Sequence, residues 1–209
     1  ALDVAADMID LFQNRLLPQG SADKILRHIR VCHDICHSAV MFESQADVLR
    51  QYQALGIQVG KIQVSSAVQV DFSQLAVGDR TAAFEQLTSF NEPRYLHQTC
   101  IREPNQSIHF HQDLSVALET VADPQSLENA WSVHFHVPIF LESLGLLSTS
   151  QHDILECLEV CKSMPNLEHF EVETYAWNVL PEHLQQSDLA QGIADELLWF
   201  RNLVSTYRS

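Results

Sequence analysis

The sequence predicts an α/β fold with a mainly parallel sheet, and three observations carry that expectation. Short apolar runs of strand length alternate with amphipathic segments of helical period. Several of those runs carry polar side chains on one alternating face. No repeat, low-complexity tract or linker divides the 209 residues, which read as one domain over 1–209 with length enough for one sizeable core.

Each element has a local reason. Between Asp3 and Leu17 the apolar residues Val4, Met8, Ile9, Phe12, Leu16 and Leu17 recur at spacings of three and four, which predicts an amphipathic helix ended by Pro18 and Gly20. Ile29 to Asp34 is an apolar run with a polar end and reads as a strand. Ser44 caps a helix through Leu55, and Gly56 supplies the left-handed residue that stops it. Ile57 to Val64 is the next strand, and a helix is expected near Thr81 to Leu87. Arg94 to Ile101 and Ser107 to His111 form two short strands joined by the turn formers Glu103, Pro104 and Asn105, a hairpin. A helix over Leu114 to Val121, a strand over Trp131 to Val137, a helix over Ser150 to Ser163, a strand over His169 to Tyr175 and a closing helix over Leu189 to Val204 complete the series.

Composition excludes several function classes. The chain is 46% hydrophobic, yet no stretch approaches the roughly 18 to 20 apolar residues of a membrane span. It opens with an amphipathic segment, where a secretory signal would be basic and then apolar. A formal net charge of -15 repels a phosphate backbone, so nucleic acid is not an expected partner. Five cysteines cannot all pair, and the gaps of four between Cys32 and Cys36 and between Cys157 and Cys161 differ from zinc-knuckle or redox spacing. Packed thiols in a reducing cytoplasm are expected.

The strand faces direct attention to a site. Lys61, Gln63 and Ser65 share one face while Ile62 and Val64 occupy the other. His134 and His136 likewise oppose Val133, Phe135 and Val137; Glu171, Glu173 and Tyr175 oppose Val172 and Thr174; Tyr95, His97 and Thr99 oppose Leu96 and Cys100. A polar row inside a covered sheet needs partners, water or a metal to offset its desolvation. Asp34 and His37 add a carboxylate and an imidazole three residues apart where a strand ends. That spacing suits a strand-end site, and Asp34 equally suits the cap of the following helix.

Five segments in order carry a family likeness: Val31 to Val40 (VCHDICHSAV), Gly60 to Ala67 (GKIQVSSA), Glu92 to Gln98 (EPRYLHQ), Val133 to Phe140 (VHFHVPIF) and Phe170 to Leu180 (FEVETYAWNVL). They resemble motifs of the EboE family of metabolite-traffic proteins, grouped with xylose-isomerase-like sugar-phosphate isomerases and epimerases. The resemblance implies a (β/α)8 TIM barrel of which this chain corresponds to the C-terminal half or so, with an earlier strand bearing a further Glu expected before the opening helix. It also implies a divalent metal, manganese, magnesium or zinc, as one ion or two, held by side chains from several strands. By resemblance Asp34, Gln63 and Glu173 match metal ligands, His37 joins them as the partner near the substrate, and His97 and His136 extend the set toward a His-rich, multi-metal arrangement. The implied substrate is a sugar or sugar phosphate undergoing isomerisation or epimerisation, with Glu173 and His37 in catalytic roles. Lys61 neutralises an oxyanion or phosphate in a catalytic role, or else forms a buried structural ion pair. A non-catalytic metabolite-binding protein and a metal-dependent phosphoester hydrolase are the rival expectations.

Overall fold

The opening amphipathic stretch folds as its period demands: helix α1 (Val4–Asp10) runs into a π-helical turn (Leu11–Leu16) and a 3-10 turn (Leu17–Gln19) that Pro18 helps to end. The structure, a computed structural model, describes residues 4–164, 166–173, 177, 180–181, 184 and 188–207. Helix α2 (Ala22–His28), which has only a short apolar pattern, leads into strand β1 (Val31–Asp34). Helices α3 (Ile35–Val40) and α4 (Gln45–Ala54) carry the chain back to strand β2 (Val59–Val64). Ser44 Oγ accepts the Asp47 N–H at 3.2 Å, and Gly56 sits at φ +69°, so both ends of α4 form as their residue types require.

β1, β2 and the late strand β9 (Phe170–Val172) form a parallel sheet in the order β1-β2-β9. The register sets Asp34 beside Gln63 and Gln63 beside Glu171. Ile62 and Val64 are fully buried on the face covered by helices, in a core with Phe12, Leu49, Tyr52 and Ile154. Helices α7 (Gln151–Cys161) and α8 (Leu189–Tyr207) close that layer. The opposite face carries Cys32, Lys61, Gln63 and Glu171, none of them buried. The alternation read from the sequence is therefore the alternation observed on β2.

Between β2 and α7 the chain builds a second sheet from β3 (Val68–Asp71), β4 (Thr99–Arg102), β5 (Ile108–His111), β6 (Ala130–Val133), β7 (Ser143–Leu144) and β8 (Leu147–Thr149). Its order is β5-β4-β6-β3-β8-β7 and every pairing is antiparallel. Helices α5 (Val77–Thr88) and α6 (Leu114–Leu118) accompany a core around Phe72, Leu87, Phe90 and Trp131. No described helix is long and apolar enough to cross a membrane.

This arrangement corrects two expectations. The described strands do not close into a (β/α)8 TIM barrel of the xylose-isomerase-like kind, nor is the sheet mainly parallel. The reason lies in connection lengths. A parallel crossover needs a dozen or more residues, usually with a helix, whereas β2 and β3 are separated only by Ser65, Ser66 and Ala67. The chain therefore leaves the parallel sheet at once. The β4–β5 turn reverses direction through the Glu103 N–H to Ser107 carbonyl bond, with Gln106 at φ +68°, and produces an antiparallel pair. Alternation of strand and helix in sequence does not by itself distinguish these connections from crossovers.

Candidate metal centre

The ends of β1 and β2, the residue after β9 and the extended segment after β6 meet where the two sheets adjoin. Asp34, at the end of β1, is also the N-cap of α3: its Oδ1 accepts the N–H groups of Cys36 at 2.9 Å and His37 at 3.4 Å and the hydroxyl of Ser65 at 2.9 Å. Its second oxygen, Oδ2, lies 3.7 Å from His37 Nε2. The capping role and the site role thus fall on different oxygens of one side chain.

Glu173 follows β9, and its N–H donates to the Val64 carbonyl at 3.1 Å, which extends the parallel pairing by one residue. Gln63 Nε2 donates to Glu173 Oε2 at 3.0 Å, and Cys32 Sγ donates to Gln63 Oε1 at 2.9 Å. Burial pushes the Glu173 pKa up, and the nearby Asp34 carboxylate adds to the shift.

His134 and His136 come from the other sheet. The His134 N–H donates to the Gln98 carbonyl at 2.8 Å and the Val137 N–H to the Ser66 carbonyl at 3.1 Å, so this segment is tied to its neighbours at both ends. The two rings approach with Nε2 atoms 2.9 Å apart, one nitrogen donating and the other accepting. His136 Nδ1 lies 3.6 Å from Glu173 Oε2, and the His134 ring meets the His37 ring edge-on at 4.4 Å. Burial is the main reason that the pKa of His134 falls to about 3, with His136 and His37 adding repulsion. The pKa of His136 falls to about 4, again mainly through burial, partly opposed by Asp34. Both rings are therefore neutral near pH 7, the protonation state a metal ligand requires.

The structure brings together Asp34, His37, Gln63, His136 and Glu173 among the residues expected at the site. His97 is fully packed elsewhere: its ring stacks on Phe135 at 4.8 Å, its Nε2 lies 3.5 Å from Glu92 Oε1, and its backbone N–H donates to Asp113 at 3.2 Å. It acts on the centre only as a weak repulsion on His134. Lys61 lies two residues back along β2 and pairs with Glu171 at 2.5 Å on the open, exposed sheet face, so the pair it forms is not a buried one. Thr174 and Tyr175 lie outside the described residues.

Two further members join the centre. His134 was visible as the alternate partner of His136 on one strand face. Cys36 carried no such signal, because a thiol in the first turn of a helix is ordinarily packing. Yet the donor atoms of Cys36, His134 and His136 all lie within 4.8 Å of one another. Two imidazoles and a buried thiol that converge in this way form a donor set that fits a divalent ion, with the Glu173 carboxylate 3.6 Å from His136 and the Asp34 carboxylate 3.7 Å from His37 beside it. Compared with protein-family models, curated proteins and solved structures, the chain matches none.

Proposed function

We propose that the chain holds a divalent metal ion at this centre and acts on a sugar or sugar phosphate as an isomerase or epimerase. The observation that carries the reading is the meeting of Asp34, Gln63, His134, His136 and Glu173, side chains from four separate segments, around one pair of neutral imidazoles. The likeness of five segments to EboE metabolite-traffic proteins supports the substrate class. A bound divalent ion would polarise adjacent substrate oxygens and favour loss of a proton from the neighbouring carbon.

The chain's own residues divide the remaining work. Glu173, with its pKa raised and one oxygen held by Gln63, takes a proton from substrate carbon and returns it. His37 is about half exposed, at 47%, and lies over His134, where its ring nitrogen can bond a substrate hydroxyl. Asp34 is held by three donors and supplies a fixed negative charge. Lys61 pairs with Glu171 on the exposed sheet face and is given no role in this reading.

The test has two stages. Protein purified without added metal should contain a stoichiometric divalent ion, or its melting temperature should rise on adding manganese or zinc. In deuterated water the metal-loaded protein should then exchange a carbon-bound proton of candidate sugars, and Glu173→Gln should slow that exchange by about 100-fold or more. No bound ion and no rise in melting temperature would sink the metal reading. Tight sugar binding without exchange would make the protein a metabolite carrier. The surplus of imidazoles, with His134 in contact with both His37 and His136, favours phosphoester hydrolysis as the second reading. Phosphate release abolished by His136→Ala would establish it.

A further inference from the structure

We infer that Cys36 is itself a ligand of this centre, together with His134 and His136, and that the three donors select zinc over manganese or magnesium. The inference rests on the metal reading above and deepens it by assigning the donor set and the ion. Cys36 is completely buried in the first turn of α3, and its backbone N–H is held by both Asp34 Oδ1 at 2.9 Å and Ser65 Oγ at 3.1 Å. The start of α3 is thereby fixed against the ends of β1 and β2. The other two fully buried cysteines have sulfur neighbours: Cys100 faces Met41 at 3.4 Å and Cys157 faces Cys161 at 3.9 Å. Cys36 differs in lying beside two imidazole nitrogens.

The dimensions suit a tetrahedral ion. Zinc bonds of about 2.0–2.1 Å to nitrogen and about 2.3 Å to sulfur set the donors about 3.3 Å apart for two nitrogens and about 3.6 Å for nitrogen and sulfur. The two Nε2 atoms stand 2.9 Å apart, and Cys36 Sγ and one ring nitrogen of each histidine all lie within 4.8 Å of one another. Rearrangement of side chains on the order of an ångström closes the set. With both Nε2 atoms turned to the ion, the His136 proton resides on Nδ1, which faces Glu173 Oε2 at 3.6 Å. That places a carboxylate behind a ligating imidazole, the arrangement that fixes ring orientation and raises ligand basicity. Gln63 holds the same Glu173 oxygen, and among the described residues no hydrogen bond takes up Oε1, which faces the substrate in this reading.

Three protein donors leave a fourth position for a substrate oxygen. On binding, the Cys36 S–H bond gives way to a sulfur–metal bond and the proton passes to solvent. A thiolate with two imidazoles suits borderline-soft zinc; magnesium and manganese prefer carboxylate, carbonyl and water oxygen.

Cobalt(II) titration of the chelator-treated full chain tests this. One equivalent should produce visible bands of tetrahedral cobalt together with a near-ultraviolet thiolate-to-cobalt charge-transfer band, and zinc should displace both. Cys36→Ser should abolish the near-ultraviolet band and weaken zinc binding by at least about 100-fold, whereas Cys157→Ser should leave the band intact. Cobalt bound by the unaltered chain without a charge-transfer band overturns Cys36 as a ligand and leaves the metal reading standing. A band that persists in Cys36→Ser overturns it equally, and failure to bind cobalt, zinc or manganese at all overturns both. Because the band is read first in the unaltered protein, the outcome does not depend on whether the serine variant folds.

Discussion

Asp34 performs two tasks with its two oxygens, and substitution separates them. Asn retains an acceptor for the Cys36 and His37 N–H groups and is as good an N-cap as Asp. Asp34→Asn should therefore change thermal stability little in the presence of chelator while weakening metal binding through the lost charge. Asp34→Ala removes the cap and the Ser65 bond as well, and should cost about 1–2 kcal/mol more in chelator. Urea denaturation with and without zinc reads both effects. Equal stability losses for the two variants in chelator would show that the charge, not the cap, governs α3. Lys61 and His97 teach the converse lesson at the same scale. Each occupied a plausible face position in the sequence, and each is committed to a carboxylate, Glu171 or Glu92, whose proximity depends on folding.

At the scale of elements, the segment after β6 bears the strongest electrostatic consequence. His134 and His136 titrate at about 3 and about 4 in the folded protein, below the ordinary value of 6.5. The unfolded chain therefore binds more protons than the folded one between those values. Their contribution to stability is fully present above about pH 6.5 and is lost as pH falls towards 4 and then 3. Urea unfolding in chelator should give a lower free energy at pH 5 than at pH 7, and His134→Gln with His136→Gln should flatten that dependence. A dependence equally steep in the double variant would assign the acid sensitivity to other groups. The same segment shows how far element boundaries were legible. A strand was expected over Trp131 to Val137, and pairing ends at Val133 because the next residues turn to bond Gln98 and Ser66. The strand over Arg94 to Ile101 shortens likewise to Thr99–Arg102, because Arg94 and Tyr95 donate instead to the Glu92 carboxylate.

At the scale of the molecule, the centre lies between two sheets built on different principles. The junction is held by the Ser150 N–H to Ala67 carbonyl bond at 2.9 Å, the Ala67 N–H to Ser150 Oγ bond at 2.8 Å, and the Ser132 hydroxyl bonded to the Ala39 carbonyl at 3.1 Å. An ion that takes ligands from α3 and from the segment after β6 would tie the parallel layer to the antiparallel one. Amide hydrogen exchange should accordingly slow in residues 35–37 and 134–137 together when zinc is added, with little change at the outer β4–β5 hairpin. Protection confined to one sheet would show that the ion is not shared between them.

What the sequence determined by itself was local. The helical periods of α1 and α8, the cap at Ser44, the stop at Gly56 and the period-two alternation that puts Ile62 and Val64 inward and Gln63 outward all follow from short-range backbone geometry. Strand-end polarity placed Asp34, Gln63, His136 and Glu173 on polar faces, and the described contacts bring Gln63 to Glu173 and Glu173 to His136. Tertiary structure decided how the strands associate, because three residues between β2 and β3 send the chain to a second sheet, and strand pairing is a contact between segments far apart in sequence. It also decided that His134 and Cys36 stand together while His97 and Lys61 turn to other partners: a side chain's face is set by its own strand, but its neighbours are set by whatever the fold lays across it.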